Sequence, residues 1–514
     1  MSDEELEELE EASSEDEIEQ INILPYQVEH YKKLLDILER EVGYLDVSEF
    51  GLGKTLMALA VAITLKMSIL LIAPKTVIPQ WKRHAKRYGV HIYQAMTYNA
   101  LRGTAKGGIK HTLLTRDKDK FSATETFEKC AKTGMLIVYD ECHYLKNDNS
   151  QLHAAAALSK EAVRLSRMGY NVRIAALSAT PADKKENITN LFKILGIILE
   201  PNLYRYNRSN KTYILEGLQE AINKCNRYDK DNTFHIICRQ VNKTTSKLIC
   251  HELYTRVLKT VITSSMPKPE GSRVKDIKNL FAVMPDEDVE RMKAGALLFA
   301  SATSYRPETG SVDYKSTNWG KVTESRREID SSKVNTMVRL AVEKLEADKN
   351  CKIILYYTFK RDMYRSRDLL MKYNPLVMNG DIQKDNQRTE MLDRFQRPDN
   401  KYRVFISNPK VSGVGIDLGD CDGRFKRYMF IAPNYNFIDI FQSTGRASRM
   451  NSKSDCEIRF VYSKAFPHES SILSSMIEKS RVARDLIQNN QEGILFPGEV
   501  EQVVENDSED LSDE

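Results

Sequence analysis

The sequence predicts an α/β protein of two doubly wound parallel-sheet lobes, with an accessory insertion between them and disordered acidic termini. Three observations carry that expectation. Short aliphatic runs alternate with helical patterns over residues 21–200, the alternation restarts at residue 332 and continues to about 490, and both chain ends are acidic. Strands separated by helices imply parallel pairing, because a parallel pair needs a long crossover connection. Residues 201–331 show weaker periodicity and are expected to link the lobes. Residues 1–20 and 491–514 are expected to be disordered tails.

In the first lobe a helix is expected from residue 21 to about 42, with Pro25 in its first turn and Val28, Tyr31, Leu34, Leu35 and Leu38 at helical spacing. Gln27 can both donate and accept hydrogen bonds, as an adenine edge requires. Tyr44, Leu45 and Val47 form an apolar lead-in to the stretch 48–55, and residues 56–67 read as a buried helix. Residues 68–73 read as a strand, followed by a loop with Lys75 and Thr76 and a helix with Trp81 and Arg87. Lys75 and the turn at Thr97, Tyr98 and Asn99 fall at carboxyl ends of strands, where ligands of such sheets bind. Residues 103–126 are rich in Gly, Lys, Thr and Asp and read as a mobile surface loop. Residues 135–139 read as a strand ending in Asp140 and Glu141, 150–169 as a helix, and 173–177 as a strand running into Ser178, Ala179, Thr180 and Pro181.

In the second lobe helices are expected over 333–345 and 385–395, and strands over 352–358, 376–378 and 403–406. A turn is expected over 413–417. Residues 437–450 read as a helix holding Gln442, with Arg446 and Arg449 on one face.

Composition narrows the function classes. The 41% apolar and 29% charged fractions suit a globular chain, and no apolar run approaches the roughly 18 residues of a membrane span. Eight cysteines without a Cys-x-x-Cys pair argue for reduced thiols and against a zinc site, so an intracellular setting is expected, cytoplasm or nucleus, or a virion if the source is viral. Net charge is only +4, yet residues 1–20 hold 11 acids and residues 499–514 hold 8, with no Lys or Arg in either. The body between is therefore strongly basic, which points to nucleic acid as partner. The acidic tails are expected to compete for that surface or to recruit transcription or replication proteins.

The chemistry centres on 48–55. A Gly-rich turn between strand and helix leaves backbone N–H groups free to wrap phosphate oxygens, here with Gly51 and Gly53. Lys54 would reach the β- and γ-phosphates, and the Thr55 hydroxyl would ligate Mg²⁺. The strict phosphate-loop pattern has glycine where Ser48 stands. Asp140 would hold Mg²⁺ through water, and Glu141 would orient or deprotonate the attacking water. Arg446 and Arg449 have the spacing of an arginine finger supplied by the second lobe.

Six motifs in order make the chain resemble the superfamily-two helicases and translocases over about 24–465: Leu-Pro-Tyr-Gln (24–27), Ser-x-x-Gly-x-Gly-Lys-Thr (48–55), Asp-Glu-Cys-His (140–143), Ser-Ala-Thr-Pro (178–181), Gly-Val-Gly-Ile-Asp (413–417) and Gln-x-x-Gly-Arg-x-x-Arg (442–449). That family's phosphate loop commonly lacks the first glycine. Residues 73–83, 144–147, 237–240 and 379–381 resemble the Swi/Snf-type branch, and a compact chain with acidic tails is similar to the Swi/Snf-like helicases of large nucleocytoplasmic DNA viruses. Thr444, Ser448 and Asn451 depart from that branch's usual ending. The resemblance implies two RecA-like lobes and ATP with Mg²⁺ as substrate and cofactor. Gln27 would read adenine, Gln442 would lie near the γ-phosphate, and Ser178 and Thr180 would couple hydrolysis to motion. Gly415 and Asp417 would link nucleotide to nucleic acid, with His143, Lys75 and Thr97 among the coupling and nucleic-acid residues. The function so implied is ATP-driven translocation, on DNA in preference to RNA, in viral transcription or DNA processing. RNA unwinding, transcript release and a non-catalytic nucleic-acid-binding scaffold are the alternatives.

Overall fold

The computed structural model describes residues 18–487 apart from 105–107, 119, 211, 230–244, 270–272, 274, 305–312, 314, 383–384, 413–415, 450 and 465–467. Residues 1–17 of the N-terminal acidic tail, the whole C-terminal tail, Gly415 and the 237–240 segment lie outside the described residues, while Glu19 of the N-terminal tail donates its N–H to the Arg87 carbonyl at 3.0 Å. Among the described residues no helix is long and apolar enough to cross a membrane.

The chain divides into two compact units, one of residues 1–269 with 485–490 and one of 270–484 with 491–514. Each is built on a six-stranded parallel sheet. In the first unit the strands are β1 (Gly43–Asp46), β2 (Ser68–Ile72) and β3 (Ile92–Met96). A hairpin of β4 (Leu114–Asp117) and β5 (Lys120–Ala123) follows, then β6 (Met135–Asp140) and β7 (Val172–Leu177). A second hairpin, β8 (Tyr204–Asn207) with β9 (Thr212–Leu215), precedes the two-residue β10 (Thr263–Ser264). The sheet order is β10-β1-β7-β6-β2-β3. β1 and β6 are buried throughout, as expected when helices cover both faces of a parallel sheet.

Helix Lys54–Thr64 is apolar along most of its length and its residues 57–62 are buried. Helix Ile78–Arg87 instead buries one stripe, Trp81 and Ala85, and turns Lys82, Arg83, Lys86 and Arg87 outward.

The second unit uses β11 (Lys275–Ala282), β12 (Cys351–Tyr356), β13 (Leu376–Met378), β14 (Val404–Ser407), β15 (Lys426–Ile431) and β16 (Cys456–Ser463). Their order is β11-β16-β15-β12-β14-β13, all parallel. These two doubly wound sheets are the expected RecA-like lobes.

Three local readings change. Residues 103–126 are not a plain loop: they hold the β4–β5 hairpin, because buried Leu113, Leu114 and the following Phe127 fix it to the body. The stretch 201–331 does not stand apart. β10 pairs with β1 and β11 pairs with β16, so the compact division falls inside it, between Pro269 and Glu270. Helix Phe437–Thr444 stops six residues short of the expected end, so Arg446 and Arg449 follow it in a turn and do not share a helical face. The cause is visible in the backbone. The Arg446 carbonyl accepts from the Leu418 N–H at 2.8 Å and the Arg449 N–H donates to Ser452 Oγ at 2.8 Å, bonds that replace helical ones.

Candidate active site

The strand ends of the first sheet lie level. Asp46 on β1 is paired with Leu177 on β7, Leu177 with Asp140 on β6, Tyr139 with Ile72 on β2, and Ile72 with Met96 on β3. Each is the last or next-to-last residue of its strand. The segments carrying Lys54, Ser178, Asp140–Glu141, Lys75 and Thr97 therefore leave one edge of the sheet side by side, at its carboxyl end.

Between β1 and helix Lys54–Thr64 the chain turns through Gly51 at φ 81° and Gly53 at φ 102°. Gly53 is needed twice, since a Cβ there would also lie 2.6 Å from Gln27 Nε2. The Lys54 ammonium donates to the carbonyls of Ser48 (2.8 Å) and Glu49 (3.1 Å) and sits 5.4 Å from the Phe50 ring. Thr55 follows it in the first helical turn, half-buried. Gln27 packs onto the loop: its Nε2 donates to the Leu52 carbonyl at 2.8 Å and its Oε1 accepts from the Leu24 N–H at 3.0 Å.

Asp140 and Glu141 are both buried. Asp140 Oδ2 accepts from Trp81 Nε1 at 2.7 Å, its Oδ1 accepts from the Glu141 N–H at 3.0 Å, and its carbonyl accepts from the Tyr98 hydroxyl at 2.7 Å. Burial first, and the neighbouring Glu141 charge second, push the Asp140 carboxyl up to about 6, against the pull of Trp81 and Lys54. Glu141 holds a left-handed backbone, φ 54° and ψ 51°, which costs a non-glycine residue on the order of 1 kcal/mol. Strain of this kind next to a buried carboxylate pair is where chemistry is expected.

His143 Nδ1 lies 3.2 Å from both Glu141 Oε2 and Ser178 Oγ. Ser178 Oγ also accepts from the Thr180 N–H at 3.2 Å. The sequence-predicted Glu141, His143, Ser178 and Thr180 thus form one chain of contacts across β6 and β7. The Thr180 hydroxyl is buried without a hydrogen-bond partner among the described residues. Lys75 is exposed beyond β2, and Thr97 accepts from the Ala100 N–H at 3.1 Å to open helix Tyr98–Arg102.

In the second unit Gln442 is buried on helix Phe437–Thr444. Arg449 Nη2 donates to the Ile416 carbonyl at 2.7 Å. Asp417 accepts from the Gly419 N–H at 3.0 Å and from Asn451 Nδ2 at 3.0 Å, so Asp417 and the Arg446–Arg449 turn belong to one local network.

The donor set suits a nucleoside triphosphate with Mg²⁺: an ammonium and a hydroxyl at a helix N-terminus face a half-compensated acidic pair. Sequence reading did not assign roles to Trp81 or Tyr98. The signal was there for Trp81, because a buried indole N–H needs an acceptor and the chain has only two tryptophans.

Residues 20–183 match the family model described as Type III restriction enzyme, res subunit. A protein of Acanthamoeba polyphaga mimivirus named as an ATP-dependent RNA helicase (L364) is 23% identical over 89% of this chain and 82% of its own length. The DNA repair and recombination protein RAD54-like of Drosophila willistoni is 23% identical over 91% of this chain, which spans 64% of that relative. A looser likeness, with TM-score 0.30 and 14% identity over 92% of this chain and 98% of the other, is to the Sulfolobus solfataricus SWI2/SNF2 ATPase core in complex with dsDNA. The chain is thus similar over most of its length to helicase-type proteins, and its two parallel sheets carry the six motifs by which it resembles the superfamily-two, Swi/Snf-like ATPases.

Proposed function

We propose that the protein is a nucleic-acid-stimulated ATPase that translocates along DNA. The observation that carries the reading is the level carboxyl edge of the first sheet, where Lys54, Asp140, Glu141 and Ser178 leave neighbouring strands. Lys54 holds phosphate oxygens, and the loop N–H groups around Gly51 and Gly53 share that load. Thr55 and Asp140 would hold Mg²⁺, which would neutralise charge on the transferred phosphoryl group. Glu141 orients the attacking water and accepts its proton, and Gln27 recognises the base. Arg446, Arg449 and Gln442 contribute to hydrolysis from the second unit. His143, Ser178 and Thr180 pass the state of Glu141 to the nucleic-acid side, where Lys75 and Thr97 contact phosphodiester oxygens.

DNA is favoured by the RAD54-like relatives. RNA is the second reading, favoured by the name of the mimivirus relative. ATP turnover measured alone and with duplex DNA, single-stranded DNA or RNA separates them. Duplex DNA is expected to stimulate most, about tenfold or more, with the stimulation falling as salt rises. Stimulation by RNA alone would replace the DNA reading, and no turnover under any condition would remove the enzyme reading.

A further inference from the structure

Beneath the phosphate loop lies a buried polar cluster that the nucleotide chemistry does not use. Asp46, the last residue of β1, has both carboxylate oxygens engaged. Its Oδ2 is 3.1 Å from His30 Nε2, and its Oδ1 accepts from the Ser48 hydroxyl (2.5 Å) and the Ser48 N–H (2.9 Å). The other His30 nitrogen is 2.8 Å from Ser264 Oγ. The Ser48 hydroxyl in turn accepts from the Met266 N–H at 2.9 Å. His30, Asp46, Ser48, Ser264 and Met266 are each no more than 3% exposed. Burial alone would raise the Asp46 carboxyl, but His30, Lys54 and Ser48 outweigh it and leave it below the usual range.

Two features single out Ser48. Its carbonyl is one of the two acceptors that hold the Lys54 ammonium, while its hydroxyl holds the backbone of Met266. Met266 follows β10 and lies three residues before Pro269, where the first unit's main segment ends. The chain there is held to the loop a second time, by the Val47 N–H on the Ser264 carbonyl at 2.9 Å. A hydroxyl can donate and accept at once, which is what the Asp46–Ser48–Met266 chain requires. Alanine keeps the backbone and loses the bridge, and so does the glycine of the strict phosphate-loop pattern.

We propose that Ser48 is a positioning residue that ties the phosphate loop to the segment 263–266, so that nucleotide held by Lys54 is felt in the chain leading out of the first unit. The proposal rests on the nucleotide reading of that loop. A displacement of the Ser48 backbone as Lys54 exchanges carbonyls for phosphate oxygens would be transmitted through a buried hydrogen bond whose loss leaves a polar group unsatisfied.

Hydrogen exchange on the full chain, with and without the non-hydrolysable probe AMP-PNP and Mg²⁺, tests it. The expected result is slower exchange in the peptide over 48–56 together with about tenfold slower exchange at the Met266 amide. Ser48→Ala is expected to keep the first effect and lose the second. Ser264→Ala, which removes only a His30 contact, is expected to keep both. Protection over 48–56 with no change at Met266 in the unaltered protein would overturn this inference alone. No protection over 48–56 would overturn the nucleotide reading and the inference with it. Equal protection of Met266 in Ser48→Ala, or its loss in Ser264→Ala, would show that the Ser48 hydroxyl is not the link. Should Ser48→Ala fail to fold, the unaltered chain and Ser264→Ala still decide.

Discussion

Where the first sheet buries charged strand residues at its carboxyl edge and as anions, the second buries them at its amino edge and as cations. Asp46 and Asp140 end β1 and β6, with Glu141 next in line. Lys352 and Arg427 lie at the starts of β12 and β15, where they are register partners, and Arg403 immediately precedes β14. The cations are well satisfied. Lys352 Nζ donates to the carbonyls of Phe395 and Arg397, each at 2.6 Å, with the Phe395 and Phe425 rings beside it. Arg427 donates to the carbonyls of Leu418, Gly419 and Phe425 and to Gln396. Among the anions Asp46 has both carboxylate oxygens engaged, whereas Asp140 keeps a raised carboxyl and Glu141 a strained backbone. A buried charge with all its partners is framework, and one left partly uncompensated is available for chemistry.

That contrast can be broken at several points. The largest effect is expected at the carboxyl edge of the first sheet. Lys54→Ala and Glu141→Gln should each lower ATP turnover by about 100-fold or more, while the thermal midpoint of Glu141→Gln does not fall. Full turnover in either variant would show that this edge is not the active site. At the opposite edge of the second sheet the reverse holds. Lys352→Ala should cost about 2–4 kcal/mol in urea unfolding, because two buried carbonyls lose their donor, with turnover per folded molecule little changed.

A smaller effect follows from pH. Desolvation and Arg427 lower the Lys352 ammonium to about 8. Above that value the folded chain has released a proton that the unfolded chain still binds, up to the ordinary lysine range. Stability should therefore gain from this group between about pH 8 and about pH 10, and Lys352→Met should remove that gain. Unfolding curves at the two ends of this window for both proteins check the sign. The smallest expected change is in Trp81→Phe. Without the indole N–H the Asp140 carboxyl of the metal-free chain rises further, so the acid limb of Mg²⁺ affinity against pH should move upward, weakening binding severalfold near about pH 6.5. An unmoved limb would mean that Asp140 does not set it.

The sequence made the sheets and the first-lobe site readable for a physical reason: strands buried on both faces are continuous apolar runs, and polar motifs stand out where those runs stop. Residues 135–140 are of that kind. β10 and β11 were not, because a two-residue Thr-Ser strand has no run to see, and β11 is an edge strand whose first half, Lys275 to Lys278, is only half-buried. The stop at Thr444 was equally hidden. It depends on the Leu418 N–H donating to the Arg446 carbonyl and on Ser452 Oγ accepting from the Arg449 N–H, which helical periodicity cannot report. His30 is one polar position on an amphipathic helix, and only the fold brings it to Asp46 and Ser264.

The level strand ends of the first sheet also constrain how this chain can vary in length. Each strand there has neighbours that fix its register, and a residue lost within β6 would draw Glu141 back to the place of the Asp140 carboxylate and reverse the facing of the residues after the loss. Insertions and deletions are thus excluded from the strands that feed the site, and the burden of divergence falls on excursions such as the β4–β5 hairpin, which return the chain to the sheet without setting its phase.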